Sequence, residues 1–309
     1  MAQSWQRLGR FFKAEGQRPW MRTHSQMPHA EVVEGSIVRV YFSCRDADNR
    51  SQIAWLLLDL ERPDTVLDLA VEPLMTAGPI GTYDDCGVMS SWMTRHGDER
   101  WFYVIGWNVK NRVPLHNSIG LARGPGFGPP TADKLLGPVL ERNPANPFYV
   151  SCPCVLPDDQ GGWRMWYLDG LPWTQKDGKP ASRYTVAHAR SADGLSWTPD
   201  PGAVLPFVHP GELAIARPCV VRDRDLWRMW HCYRGESFDY RIGYAESDDG
   251  LAWRRRDDHL VLLPGGEGFD SQMTCYPYVF DHLGERWMIY CGDGFGQGGL
   301  GLARLGGQA

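Results

Sequence analysis

The chain has 309 residues, with 32 Lys plus Arg against 37 Asp plus Glu and a formal charge of −5. Its 43% hydrophobic and 22% charged residues are ordinary for a globular protein; no stretch approaches the roughly 18 apolar residues of a membrane-spanning helix, and the acidic balance draws in no polyanion, so neither a membrane nor a nucleic acid is an expected partner. The first thirty residues lack the apolar core and cleavage site of a secretory signal, which predicts a cytoplasmic protein.

In chain order, the first strong element is the apolar-aromatic strand IVRVYFSCRD at 37–46. The pattern returns as ERWFYVIGWN (99–108), GWRMWYLDG (162–170), LWRMWHCYRG (226–235) and ERWMIYCGDG (285–294). With Arg39, Trp101, Trp163, Trp227 and Trp287 aligned, the steps are 62, 62, 64 and 60 residues, so the chain reads as five copies of one unit. Ahead of each copy stands an opening strand: MPHAEV, DDCGVMSSW, SCPCVL, ARPCVV and CYPYVF. Four of these carry proline (Pro28, Pro153, Pro218 and Pro277), which suits a sheet edge and predicts that the opening strand is exposed. Behind each copy comes a third strand: SQIAWLLLD, NSIGLARG, YTVAHARSADGLSW, YRIGYAESDDGLAW and GGLGLARL. The S-x-D-G signals within two of these assign Asp193, Asp248 and Asp249 to turns. A weaker fourth strand, as in VLDLAVEPLM or DDHLVLLPG, closes the unit. Only LGGQA follows the last third strand, so WQRLGRFF near the N-terminus is predicted to supply the missing outer strand and remove an open edge.

Four short antiparallel strands per unit, without helical periodicity, predict an all-β, five-bladed β-propeller in one domain over 1–309. Its blades fall at about 24–80, 81–147, 148–208, 209–268 and 269–309 plus 4–12. The competing reading is two all-β domains, but the Pro/Gly-rich stretch at 124–134 falls inside a unit rather than between units. The eight cysteines are spread along the chain and read as buried thiols; regular alternation would put Cys152 and Cys154 on one face, close enough for a disulfide or a two-thiolate metal site. No spacing of ligand residues demands a metal ion, and no cofactor is expected.

The starts of the innermost strands converge at one mouth of such a fold, whatever their separation in sequence. There the sequence offers His24 and Gln26, Asp84 and Asp85, Tyr149 and Ser151, Glu212 and Arg217, then Asp270, Gln272 and Tyr276. Repetition for stability alone would place similar apolar residues at these positions, whereas these are polar and differ from unit to unit.

YDDCGVMSSW, YVIGWN, HNSIGLA, RMWYL, ARPCV, YRIGYAESDDGLAW and CYPYVF followed by GDGFGQGGLGLA resemble the five-bladed propellers of glycoside hydrolase families 32, 43, 62, 68, 117 and 130. Over nearly the full length the chain looks more closely like a group of bacterial glycoside-hydrolase-like proteins found in polysaccharide or secondary-metabolite gene neighbourhoods. The resemblance implies an enzyme that hydrolyses or phosphorolyses a glycosidic bond in a carbohydrate or sugar-bearing metabolite, with two carboxyls about 5 to 9.5 Å apart. Carried over, Glu212 is the general acid, its pKa raised by Leu213, Ala214 and Ile215, and Asp85 is the base or nucleophile. Asp84 is the alternative, since alternation lets only one of the two face the channel. His24, Arg45, Asp46, Arg217, Arg234, Asp270 and Gln272 are expected to bind substrate, with Trp107, Trp173 and Tyr276 stacking on sugar rings.

The chain also departs from the family pattern. His24, Gln26 and His29 occupy the opening strand that carries an aspartate base in family 43, and Gln272 stands where relatives have an acid. Phosphorolysis, with Arg45, Arg217, Arg234 and Arg241 holding phosphate, is therefore one alternative. A biosynthetic lyase, transferase or cyclase and a non-catalytic sugar-binding protein are the others. Each candidate also has a structural reading: Asp84 and Asp85 suit turn caps, Glu212 a solvated loop, Arg217 an ion pair, and Arg45, Asp46 and Arg234 contacts between units.

Overall fold

A computed structural model describes residues 4–306; the final 307–309 of the last expected unit lie outside the described residues. Strand β1 (Ser4–Phe12) is followed by a meander of β2 (Thr23–Glu34), β3 (Ile37–Arg45), β4 (Ser51–Asp59) and β5 (Val66–Leu69). A second comprises β6 (Val88–His96), β7 (Glu99–Val109), β8 (Leu115–Pro125) and β9 (Asp133–Lys134). The third is β10 (Val150–Pro157), β11 (Trp163–Lys176), β12 (Lys179–Ser191) and β13 (Thr198–Ala203), and the fourth is β14 (Glu212–Asp223), β15 (Leu226–Gly235), β16 (Arg241–Ser247) and β17 (Arg254–Arg255). The last has β18 (Cys275–His282), β19 (Glu285–Cys291) and β20 (Leu300–Gly306). Consecutive strands pair antiparallel within each meander, and one parallel bridge, Tyr184 with Ala214, joins the third to the fourth.

The last sheet is completed by the other end of the chain. β1 pairs antiparallel with β20, giving the order β1-β20-β19-β18, so the outer strand comes from the N-terminal segment read from WQRLGRFF. Trp5 of β1 packs edge-on against Trp230 at 5.9 Å between ring centroids and donates its indole N–H to Leu260 O. Arg7 Nε lies 2.8 Å from Asp270, which also accepts from Tyr290 Oη. A buried indole and a charge-assisted hydrogen bond thus fasten the first strand to units that the chain reaches more than 200 residues later.

The five first strands pack side by side: β2 against β6, β6 against β10, β10 against β14, β14 against β18, and β18 back against β2. Here the structure corrects one expectation. Of the proline-bearing opening strands, β2, β10 and β18 are indeed sheet edges, whereas β14 also meets β12 through the Tyr184–Ala214 bridge; all four are largely buried, because the neighbouring first strands cover them, and in β2, for example, residues 24–31 are all buried.

The prolines also accompany bulges. In β2, β10, β14 and β18 the pairing register slips across the residue before proline, and Met27, Cys152, Arg217 and Tyr276 all have φ between +49° and +54°. Non-glycine residues avoid this left-handed region, so the surrounding packing must hold each bulge; proline, which has no N–H to pair, suits the position, although β6 slips between Met89 and Trp92 without one. Alternation breaks at each one. Cys152 and Cys154 therefore part company: Cys152 faces the axis, whereas Cys154 Sγ accepts from Val220 N on β14, and all eight cysteines are free thiols.

The S-x-D-G segments form turns, as read. Asp193 Oδ1 accepts the N–H groups of Leu195 and Ser196, and Asp249 does the same for Leu251 and Ala252. Gly194 O accepts Tyr103 Oη, and Gly250 O accepts Trp166 Nε1, so each turn plugs onto the aromatic strand of the preceding unit. Among the described residues, no helix is long and apolar enough to cross a membrane.

Candidate functional site, an axial pocket

Where the first strands meet, residues from all five meanders enclose a cavity of about 280 Å³. The first meander contributes Gln26, Met27, Arg45 and Ser51; the second contributes Met89, Ile105, Trp107, Leu115 and Asn117. Tyr149, Ser151, Cys152, Leu168, Ser182 and Tyr184 come from the third, Ala216 and Tyr240 from the fourth, and Tyr276 and Phe295 from the last. Aromatic walls with a few amides, hydroxyls and one charge are what a small polar ligand with apolar faces requires.

Local backbone chemistry places these side chains. The left-handed bulges present Met27, Cys152 and Tyr276 to the pocket, so three of its lining residues stand immediately before proline. Tyr149 reaches its position because the partner strand has glycine at 170, where an added Cβ would meet the Tyr149 ring at 2.6 Å. Tyr184 and Tyr240 are hydrogen-bonded hydroxyl to hydroxyl, and Arg234 donates to Tyr184 Oη and Ser182 O while lying 5.3 Å from the Tyr184 ring centroid. Two lining groups have unmet polar capacity: Ser51 Oγ and Asn117 Oδ1 are buried without a hydrogen-bond partner, although Asn117 Nδ2 donates to Ser151 Oγ. Buried polar groups are normally satisfied, which marks this wall as a place where a ligand would complete the bonding.

The electrostatics are one-sided. None of the lining residues is Asp or Glu. Arg45 donates to Gln26 Oε1 and Asn49 Oδ1, both neutral, and burial pulls its pKa below the ordinary arginine value. His24 lies nearby; burial and then the Arg45 charge push its pKa down to about 4, so it is neutral at pH 7. Burial likewise raises the phenol of Tyr276 well above its usual value, keeping it a neutral hydroxyl.

Of the residues read from the sequence, Gln26, Arg45, Trp107, Tyr149, Ser151 and Tyr276 line this pocket, and His24, Asp46, Asp84, Asp85, Trp173, Glu212, Arg217, Arg234, Asp270 and Gln272 do not. Glu212 is buried with its carboxylate 2.9 Å from Arg255 Nη1, also accepting the N–H groups of Val208 and His209. Asp84 is buried in an ion pair with Lys134 and accepts from Thr82 Oγ1. Asp85 accepts from Gly81 N, Asn108 Nδ2 and Cys86 Sγ; the Gly81 N–H chiefly holds its pKa below the usual carboxylate value. Thus neither of the paired aspartates lines the axial pocket: both sit in the turn ahead of β6, which puts Asp84 against Lys134 and Asp85 against Gly81 N.

His24 is buried behind the wall, between Thr23 Oγ1 and Gln297. Asp46 ties its own hairpin, accepting from Asp48 N, Arg50 N and the Arg50 guanidinium. Arg217 is fully buried and donates to Ser91 Oγ and, at 2.7 Å, Pro28 O, crossing between three units; among the described residues it has no acidic partner, against expectation. Arg234 supports the wall from behind, Asp270 anchors β1, and Gln272 is exposed with its N–H on Asp293. Trp173 leans on Tyr149 at 5.7 Å and borders an adjoining groove rather than the pocket.

Met27, Ser51, Asn117, Tyr184, Tyr240 and Phe295 line the pocket without having been singled out. For Met27 and Cys152 the signal was present, because both precede proline in an opening strand. The remainder, Tyr184 within β12 and the others near strand ends or in connections, converge only through the ring of sheets. Among the described residues, no cluster of three His, Cys, Asp or Glu is placed to hold a metal ion.

No family model matches the chain. Two uncharacterized proteins of Mycobacterium tuberculosis, MT1551 of strain CDC 1551 / Oshkosh and Rv1502 of strain ATCC 25618 / H37Rv, are each 40% identical to it over 304 residues, covering 98% of this chain and 99% of theirs. Among solved structures, a glycoside hydrolase superposes with a TM-score of 0.73 at 16% identity, over 98% of this chain and 93% of its own. A thermostable family-43 glycoside hydrolase gives 0.67 at 14% identity, over 94% of this chain and 91% of its own. The β-1,2-mannobiose phosphorylase of Listeria innocua, solved with β-1,2-mannobiose, gives 0.69 at 13% identity, over 97% of this chain and 96% of its own. At such identities the likeness establishes the fold. The chain belongs to the family of the two Mycobacterium tuberculosis proteins, and it shares the fold of these solved hydrolases and phosphorylase.

Proposed function

We propose that the chain is a five-bladed β-propeller whose axial pocket takes in a carbohydrate or sugar-bearing metabolite, without cleaving it through a pair of carboxylates. The observation that carries this reading is the make-up of the pocket wall. Trp107 and Tyr276 offer apolar faces for a sugar ring, and Asn117, Ser51 and Ser151 offer polar atoms for its hydroxyls, yet no Asp or Glu lines the cavity. Paired-carboxylate hydrolysis needs an acid and a base on either side of the scissile bond. Glu212 is committed to Arg255, and Asp85, although ionised as a base must be, is engaged by Gly81, Asn108 and Cys86 and does not line the pocket.

Intrinsic tryptophan fluorescence and calorimetry against a panel of monosaccharides, sugar phosphates and sugar nucleotides test the reading, with product analysis on the same mixtures. Saturable binding that Trp107→Ala weakens about tenfold, without hydrolysis, supports it. Binding that is unchanged in Trp107→Ala and Tyr276→Ala together moves the ligand out of the pocket.

The solved hydrolase and phosphorylase neighbours favour a second reading, in which Asp85 and Glu212 act as the acid pair on a glycosidic bond. It requires Glu212 to leave Arg255 when substrate binds. Turnover abolished in both Asp85→Asn and Glu212→Gln, with both variants folded, would establish it in place of the first.

A further inference from the structure

The axial pocket adjoins, across Leu115, a groove of about 420 Å³ bordered by Lys110, Arg112 and Arg142. Together the two cavities present Arg45, Lys110, Arg112 and Arg142 and no carboxylate. Glu141 lies close by, but it faces His116 at 3.4 Å; none of the four cations has an acidic partner among the described residues. Elsewhere in this chain of formal charge −5, arginines packed into the fold do meet acids, as Arg39 and Arg100 do with Glu31 and Arg255 does with Glu212 and Asp257.

Arg45 is the decisive member. Its Nε and Nη1 donate to neutral amide oxygens, while Nη2 makes no hydrogen bond among the described residues. A half-buried guanidinium without a counter-charge loses hydration and recovers little of it from two amides, so the site is poised to gain an anion. Its planar fork suits a two-oxygen acceptor, either a phosphoryl group or a carboxylate. The three exposed cations along the groove would steer such a group inward and hold whatever extends from it.

We propose that the ligand of the axial pocket is an anionic sugar, with its phosphoryl or carboxylate group held by Arg45 and the approach lined by Lys110, Arg112 and Arg142. The inference rests on the sugar-binding reading above and adds the charge that the ligand must carry. Its absence of acid also accounts for the wall itself, since a carboxylate there would repel such a ligand.

Calorimetry on the full chain with glucose, glucose 1-phosphate, glucose 6-phosphate, glucuronate and inorganic phosphate tests it. A charged sugar is expected to bind about 10- to 100-fold more tightly than glucose, and Arg45→Gln is expected to remove most of that difference. Preference for a sugar phosphate identifies a phosphoryl group, and preference for glucuronate identifies a carboxylate. Raising the salt from about 20 to 500 mM should weaken the charged sugars and leave glucose unchanged, a readout on the unmodified protein that does not depend on how well Arg45→Gln folds. Equal affinity for neutral and charged sugars overturns the anion assignment and leaves the sugar reading intact. Binding of inorganic phosphate with no gain from the sugar retains the anion site and overturns the sugar, and no binding by any probe overturns both.

Discussion

Glu212 and Arg255 face each other at 2.9 Å with side chains 0% and 2% exposed, which makes the acid read as a proton donor one half of a dry ion pair. Breaking a buried pair by removing one partner leaves the other charge uncompensated and costs about 3 to 5 kcal/mol. Arg255 keeps Asp257 as a neighbour, so Glu212→Gln is expected to lose about 3 kcal/mol in urea denaturation while ligand affinity changes less than about twofold. A folded, equally stable variant that has lost turnover would instead restore Glu212 to catalysis.

Trp5 closes the last sheet. Its ring is buried against Trp230, and its N–H is bonded to Leu260 O. Trp5→Ala is expected to destabilise the protein by about 3 to 5 kcal/mol, read as a lower denaturation midpoint, with faster amide exchange in β20 as the sheet edge opens.

Acid sensitivity should trace in part to His231, which is fully buried with both ring nitrogens unpartnered. Burial, and then the Arg255 charge, push its pKa down to about 3, outweighing Asp257 at 3.8 Å. Since the unfolded histidine titrates near 6.5, between about pH 6.5 and 3 the unfolded chain binds the extra proton. Stability is then fully present above about pH 6.5 and falls as the pH drops, by at most about 1.4 kcal/mol per unit for this group. Urea midpoints measured between about pH 4 and 7.5 should fall less steeply in His231→Phe than in the parent.

Thiol accessibility checks the burial of the cysteines. Seven of the eight are buried, and only Cys86 is partly accessible, its pKa held up by burial and by hydrogen bonding to Asp85. A thiol reagent should label at most this one in the native protein, and slowly, but all eight in guanidinium. Rapid native labelling of Cys152 would mean that the axial pocket is wider than the packing of Met27 and Tyr276 allows.

The repeated aromatic strands, the S-x-D-G turns and the return of WQRLGRFF to the last sheet were all legible, because each depends on local pattern or on counting strands. The site was legible only in part. Arg45 stood out at the end of a strand, but nothing local distinguishes it from Arg234, which does not line the pocket and is hydrogen-bonded to the wall residue Tyr184. The prolines were visible and read as edge signals; that they would accompany left-handed bulges turning Met27, Cys152 and Tyr276 inward depends on the neighbouring strands that cover each edge.

The sequence by itself determined the unit, its repetition and the strand content, since strand alternation and turn chemistry act over a few residues. Tertiary structure alone decided which charges meet. Asp84 finds Lys134, Glu212 finds Arg255 and Arg45 finds no acid, and each outcome depends on burial and on partners 40 or more residues away, or on their absence. A carboxylate in sequence carries no mark of whether a cation will be folded against it, and that pairing separates a structural acid from a chemical one.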